Sequence, residues 1–373
     1  MKTDQPLSKV ILADFTDRYI LASEMNICLL YDKKGNFLRQ IGKPGRGPGE
    51  YTGGISLVSL TNERVYLRDF LGYDLIEYNL DGTFVKKHKN SFLGDGKYRL
   101  EEAVLLSDSM IFGNIENRTG QEVYKALIID KQGNIKYSYK NNFRFNLESG
   151  TWSVKSHVRA DINRFKNEIF LKEHYNDTLF QLDEQYRLTP VFVLDLGKYK
   201  EPLSEKGKNW PERDLLSYID LYHVFQTEKL LILIYDLNKY FPAKRLTPEI
   251  IRIPGHKDIT LWSNTESVIG IYDKKTGELA FSEPTSTDNH LFTSGLYNDI
   301  DAGPRFIPDK MVNDSTMVMN IRFEYLVEHI ESKDFRDNIP KFPDRKEKLE
   351  YFIDSLKNTG FDNPVLMFVK FKK

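Results

Sequence analysis

The chain repeats itself, and the repeat constrains its fold more than any other feature. An apolar run of strand length ends at an Asp or Asn, a short polar turn follows, and a second extended run begins. Copies occupy 27–37, 75–84, 126–135, 179–186 and 268–277, with turns opening at Asp32, Asn79, Asp130, Asp183 and Asp273. Successive copies lie roughly fifty residues apart, except the last gap of about ninety, and a period near fifty suits one four-stranded propeller blade. The turn spelling has a mechanism. An Asp or Asn side chain bonds the backbone two residues on, and Gly35, Gly82, Gly133 and Gly277 supply the positive-φ position. The fourth copy lacks the glycine.

Further strand-like runs at 64–68, 109–113 and 168–172 fill out the blades, and the run 364–371 makes a sixth unit. The expected fold is therefore all-β: a single six-bladed β-propeller over residues 1–373, with short helical insertions in blades five and six. The insertions are expected at about 203–225 and 322–360. In the second, Leu349, Phe352, Ile353 and Leu356 form an amphipathic stripe over 345–358, with Asp344 as its N-cap, and Phe323, Leu326, Val327 and Ile330 form a shorter one. Trp210-Pro211-Glu212 opens a third expected helix. An apolar stripe needs a surface to cover, so these helices are read as packed on the propeller, with a lid over one mouth as the functional version.

Charge narrows the partners. The chain carries 53 Lys+Arg against 54 Asp+Glu, a net charge of −1. That balance lacks the global pull of a nucleic-acid binder and argues against a strongly charged channel, while allowing a small local one. No apolar run reaches membrane-helix length; the densest, 230–235, is strand-sized. A single cysteine, Cys28, sits in an apolar strand and reads as a buried structural thiol, so no internal disulfide or Cys-rich metal site forms. The first residues show no secretory h-region. The chain is expected to be cytoplasmic if its N-terminus is native, and in the cell envelope, periplasmic or lipid-anchored, if a signal lies outside it. A monomer is expected.

The glycine-rich run at 41–51 is the most distinctive stretch. A phosphate-loop reading fails because Pro48 and Gly49 stand where Lys and Ser/Thr are required, and a dinucleotide fingerprint fails because Glu50 replaces its third glycine. Gly42, Gly45, Arg46, Gly47, Pro48, Gly49 and Glu50 instead read as a structural crossover between blades, with Arg46 and Glu50 spaced to pair with each other or with neighbouring turns. Followed by Tyr51, and preceded by a Tyr-Asp-x-x-Gly-Asn hairpin, this run resembles a six-bladed β-propeller family of exported proteins and lipoproteins from Gram-negative gut anaerobes, related to NHL-repeat propellers. Asp362-Asn363-Pro364-Val365-Leu366 is similar to that family's C-terminal signature. The resemblance spans essentially the whole chain and implies architecture and an exported location rather than chemistry.

Linear motifs for catalysis are missing. The seven histidines form no His-x-His or His-x-x-x-His pair, and no Gly-x-Ser-x-Gly elbow or calcium loop appears. No metal site or cofactor is assigned. Propeller enzymes gather residues from several blades, so the strongest candidate is a strand expected to line the axis. In 157–163, alternation puts His157, Arg159, Asp161 and Asn163 on one face, where they could bind a ligand or, with His and Asp, move protons. An inter-blade hydrogen-bond network is the structural alternative. Arg305, with Asp309, is a second channel candidate. The leading expectation is a non-enzymatic binding or scaffold module for a glycan, peptide or envelope protein. The alternative is a propeller-type hydrolase or lyase with polar residues around the channel, using a divalent metal in one version.

Overall fold

Six antiparallel sheets succeed one another along the chain, five of four strands and the last of three among the described residues. The computed structural model describes residues 7, 10–61, 63–70, 74–88, 98, 100–107, 109–151, 160–174, 176–208, 217–240, 247–251, 259–263, 267–282, 294–357, 359 and 363–371. Blade one comprises Leu12–Phe15, Tyr19–Glu24, Ile27–Asp32 and Phe37–Gln40; blade two, Ile55–Leu60, Arg64–Asp69, Leu75–Asn79 and Phe84–His88. Blade three comprises Ala103–Ser107, Met110–Asn114, Tyr124–Asp130 and Ile135–Lys140; blade four, Asp161–Phe165, Glu168–Lys172, Thr178–Leu182 and Leu188–Val193. Blade five comprises Asp220–Gln226, Leu230–Asp236, Ser267–Asp273 and Leu279–Phe281; blade six, Lys310–Asn313, Thr316–Ile321 and Val365–Lys370. The expected six-bladed propeller is the observed fold.

The recurrent turn joins the third and fourth strands of blades one to five. Asp32 Oδ1 accepts the Lys34 and Asn36 amides at 2.8 and 2.9 Å, and Asp130 does the same for Gln132 and Asn134 at 2.9 Å each. These bonds hold the turn carboxyls below their ordinary range. Asp130 falls to about 2 because its bonds to Asn134, Lys136 and Gln132 outweigh the opposing effect of burial. Gly35, Gly82, Gly133 and Gly277 all have positive φ. In the fourth copy Tyr186 takes that conformation with φ 59°, and its ring rests 4.9 Å from Tyr137 while its carbonyl accepts the Tyr139 hydroxyl at 2.8 Å.

Sheets buried on both faces divide the core into layers between neighbouring blades. Leu30, Leu67 and Tyr78 fill the first seam, Tyr66, Ile111 and Leu127 the second, and Phe112, Ile128 and Leu171 the third. Phe165, Leu179 and Leu233 fill the fourth, and Phe225, Ile269 and Met317 the fifth. Leu7, Ala22 and Tyr31, packed against Leu366, close the ring between blades one and six. Asn363, from the C-terminal signature, is buried and accepts the Leu7 amide at 2.9 Å, while Asn320 donates to the Val10 carbonyl at 3.0 Å. Both ends of the described chain are thereby fastened to one seam.

Helices α1 (Leu203–Lys206), α2 (Phe323–Glu331), α3 (Lys333–Asp337) and α4 (Pro343–Lys357) are the α-helical segments described. α2 buries Phe323, Leu326 and Ile330, and α4 buries Ile353 in the same cluster with Leu349 and Leu356 partly buried against it, so most of both stripes faces the core of blades five and six; Phe352, read as part of the α4 stripe, is 44% exposed. α4 opens on Pro343, which puts Asp344 in its first turn rather than at the cap. The segment around 203–225 differs from expectation: α1 is a single turn, and Asp220–Gln226 is the first strand of blade five. The insertion within blade five contains a hairpin, Thr247–Ile251 paired with Ile259–Ser263. Trp210, Pro211 and Glu212 lie outside the described residues.

The glycine-rich crossover folds on itself. Lys43–Pro44 and Glu50–Tyr51 pair in parallel, and Glu50 takes the Gly47 amide at 2.7 Å and the Lys43 ammonium at 3.3 Å. Glu50 thus pairs with Lys43, and Arg46 is exposed. The Tyr51 hydroxyl reaches the Asn26 carbonyl at 2.8 Å, and the Tyr78 hydroxyl reaches that of Gly49 at 2.8 Å. Gly42 has φ 63°, and a Cβ there would stand 2.5 Å from the Tyr78 hydroxyl, so both backbone and space require glycine.

Candidate functional site: the axial channel

The first strand of each blade is its innermost, and five of the six wall a channel of about 600 Å³. Its lining comes from Leu12–Phe15, 56–61, 102–107, 162–164 with Lys166, and 310–314. Two bonds fix how these strands align along the axis. The Leu60 amide donates to Asp14 Oδ2 at 2.8 Å, and the Lys166 amide donates to Asp314 Oδ1 at 2.6 Å, so strand ends lie beside strand ends. The lining mixes apolar residues, among them Val58, Val104, Ile162 and Val312, with Ser56, Ser59 and Asn163. Its charged residues are spread along the wall, with Glu102 and Lys310 where strands begin and Lys166 and Asp314 where they finish.

Where the strands begin, blades three to six converge. Asp161 precedes the lining of blade four, Asp309 precedes that of blade six, and Glu102 opens that of blade three. Blade five contributes His223. Its Nδ1 lies 3.2 Å from Asp161 Oδ1, while Asp161 Oδ2 accepts the Val224 amide at 2.8 Å. The imidazole is 44% exposed and the carboxylate 10%, so Asp161 is sunk in the seam and the ring opens outward. Among the described residues Nε2 has no hydrogen-bond partner, and the ring is stacked on Phe225 at 5.6 Å.

Burial alone would lower the His223 pKa. The Asp161 carboxylate, with Asp309 and Glu102 in electrostatic reach, outweighs that, and the imidazole titrates above its ordinary value. Burial pushes the Asp309 carboxyl up, opposed by the Asn320 amide donating at 2.6 Å and by His223. A ring with one nitrogen oriented by a carboxylate and the other open can accept or donate a hydrogen bond, or move a proton.

Lys310, which opens its strand next to Asp309, pairs with Asp14 at 3.3 Å; where the strands finish, Lys166 pairs with Glu228 at 2.7 Å and gives its amide to Asp314. Arg164 donates to the Leu105 carbonyl at 2.7 Å and has no carboxylate partner among the described residues.

The residues expected from sequence separate. Asp161 joins the inter-blade network, and Asn163 both lines the channel and reaches the Val224 carbonyl at 3.4 Å. His157 and Arg159 lie outside the described residues. Arg305 is absent from the channel lining; its guanidinium lies 5.5 Å from the Tyr297 ring centre. His223, Glu102 and Arg164 were not legible as site residues, because His223 and Asp161 stand 62 positions apart and meet only through blade packing. No group of three or more His, Cys, Asp or Glu side chains suited to a metal ion occurs among the described residues. No described helix is long and apolar enough to cross a membrane.

Fold and channel define a six-bladed propeller with an axial cavity of mixed apolar and polar lining. The chain belongs to the DUF4934 family, a domain of unknown function, which it matches over residues 8–370. No curated protein matches the sequence. Among solved structures, a candidate exported protein of Bacteroides fragilis is 16% identical with a TM-score of 0.65, covering 100% of this chain and 93% of that one. A member of the DUF4221 family from Bacteroides vulgatus is 10% identical with a TM-score of 0.50, covering 75% and 83%. A virginiamycin B lyase from Staphylococcus aureus is 11% identical with a TM-score of 0.37, covering 77% and 73%, a likeness too slight to bear on activity.

Proposed function

We propose that the protein is a binding module that takes a small polar ligand into its axial channel. The observation that carries this reading is the channel itself: about 600 Å³, lined by apolar side chains interspersed with polar and charged ones. Ligand pockets combine those features, an apolar body for affinity and few polar groups for orientation. Helix α2 buries Phe323, Leu326 and Ile330 in the core and α4 anchors there through Ile353, which supports packing rather than lid closure. An exported, envelope location follows from the sequence resemblance and accords with the Bacteroides fragilis neighbour.

A hydrolase or lyase at the same site is the second reading, favoured by the Asp161–His223 geometry. The two readings part on turnover: an enzyme converts its ligand and loses conversion in His223→Gln, while a binding module returns the ligand unchanged.

The test is occlusion. Ser59 lines the channel, and Ser59→Trp fills it. Native mass spectrometry against short peptides and linear oligosaccharides is expected to show a ligand on the wild type and none on the folded variant. Equal binding by both proteins would refute the channel as the site.

A further inference from the structure

We propose that the outer edge of blade six docks a partner protein, which adds an extended segment there as a fourth strand. The segment runs antiparallel to Val365–Lys370 and sets large apolar side chains opposite Val369 and Phe368. This surface lies apart from the channel and goes beyond the binding reading above.

The edge is open among the described residues, where blades one to five each have four strands and blade six has three. The third strands of blades one to five each bury two or more residues, whereas none in Val365–Lys370 is buried. Phe371 donates its amide to the Ser315 carbonyl at 2.7 Å, so pairing with Thr316–Ile321 engages alternate residues of the strand. The amides and carbonyls of Leu366, Phe368 and Lys370 therefore point outward. An added strand is what takes such a row of backbone groups in series.

Register states what a fourth strand here must carry. Lys370 faces Thr316 at the head of the second strand, as Asp32 faces Tyr19 and Asn79 faces Arg64. The preceding residue, Val369, thus stands where Tyr31 and Tyr78 stand in blades one and two. In the complete blades that position faces the apolar residue opening the fourth strand: Phe37, Phe84, Ile135, Leu188 or Leu279. The Phe37 and Phe84 rings meet Tyr31 and Tyr78 edge-on at 6.0 and 6.3 Å. Val369 has no such partner among the described residues.

The next position adds a pocket. Phe368 is 45% exposed, and its ring lies 5.8 Å from Phe15. With Ile20 and Val312 these two rings line a hollow of about 400 Å³ between blades one and six. Directly opposed residues of an antiparallel pair share a face, so a side chain opposite Phe368 is directed to that hollow. Main-chain bonds along an edge with a side-chain pocket beside it are the parts of strand-addition recognition. The chain's own residues 2–6, Lys-Thr-Asp-Gln-Pro, carry no large apolar side chain, which favours a segment of another protein.

Fluorescence anisotropy on the full chain tests this with a labelled peptide, Gly-Asn-Ile-Lys-Tyr-Ser-Tyr-Lys, the sequence of residues 133–140. In blade three Ile135 faces Ile129 and Tyr137 faces Ile128, so the peptide presents Ile to Val369 and Tyr to the hollow. Saturable binding is expected. The amides of Tyr137 and Tyr139 face the third strand, and N-methylation of the peptide at those two positions should weaken it about tenfold or more. N-methylation at the intervening Ser should cost less than about twofold. Replacing the first Tyr of the peptide by Ala should weaken it about tenfold. On binding, amide hydrogen exchange at Leu366, Phe368 and Lys370 should slow. Absence of saturable binding, equal loss from methylation at the Ser, or unprotected edge amides would each overturn the proposal. Peptide binding that Ser59→Trp abolishes would put the peptide in the channel and overturn it as well. A wild type that sediments as a dimer, and that the peptide dissociates, would assign the edge to a second copy instead.

Discussion

Two seams of the same ring use similar residues to opposite ends. Between blades one and two, Glu50 receives an amide and an ammonium, Tyr51 and Tyr78 each cap a backbone carbonyl, and glycines bring the strands together. Between blades four and five, Asp161 receives an amide and an imidazole, yet that imidazole is 44% exposed and its Nε2 has no partner among the described residues. The first seam's polar partners stand 3 to 29 residues apart in the chain. The second draws them from distant blades and leaves capacity unspent at the axis. Polar groups that satisfy one another hold a fold together, and those left partly unsatisfied beside a cavity are what a ligand can use.

That contrast can be broken by mutation. Gly42→Ala is expected to have the largest effect, about 3 kcal/mol of lost stability, from forced positive φ and displacement of the Tyr78 hydroxyl, read as a lower urea midpoint. A loss below about 1 kcal/mol would mean the crossover is slack. Asp161→Ala comes next, at about 2 kcal/mol, because the Val224 amide loses its acceptor in the seam. His223→Gln is expected to change stability by less than about 0.5 kcal/mol while weakening ligand binding, since the ring's open side faces solvent. A stability loss as large as that of Asp161→Ala would make His223 structural and erase the distinction between the seams.

Acidity sharpens the same point. A folded-state His223 pKa above its unfolded value means that its contribution is complete below about pH 6.5 and is lost as pH rises through the folded value. The melting-temperature gap between wild type and His223→Gln should therefore close from pH 6 toward pH 9. A gap that widens would contradict the assigned pairing. The smallest expected change is Tyr186→Gly, within about 1 kcal/mol, because relief of the left-handed backbone offsets the lost contact with Tyr137.

What could be read from sequence divides along the same line. The blade turns were legible because each is local: an Asp or Asn, bonded partners two to four residues on and, in four of the five, a glycine. The sequence located the fourth turn despite its missing glycine, although not that Tyr186 would assume the glycine conformation. Residues 220–226 lay inside the stretch assigned to a helical insertion, and they form instead an inner strand whose apolar residues fill two seams. Asp161 and Asn163 were found by alternation, but their partners on blade five carry no local signal. The neutral net charge gave no hint of the acidic cluster of Asp161, Asp309 and Glu102 near His223, since a local excess vanishes in a whole-chain sum.

The most direct test watches the open imidazole. In proton–carbon spectra of histidine-labelled protein, the His223 resonance, assigned through His223→Gln, is followed during titration with the short peptide or oligosaccharide that native mass spectrometry finds on the wild type. His329, buried and bonded to the Ala302 carbonyl at 2.8 Å, is the internal reference. A ligand seated at the channel mouth shifts His223 saturably and leaves His329 in place. A silent His223 at saturation, or equal movement of both rings, would contradict the account.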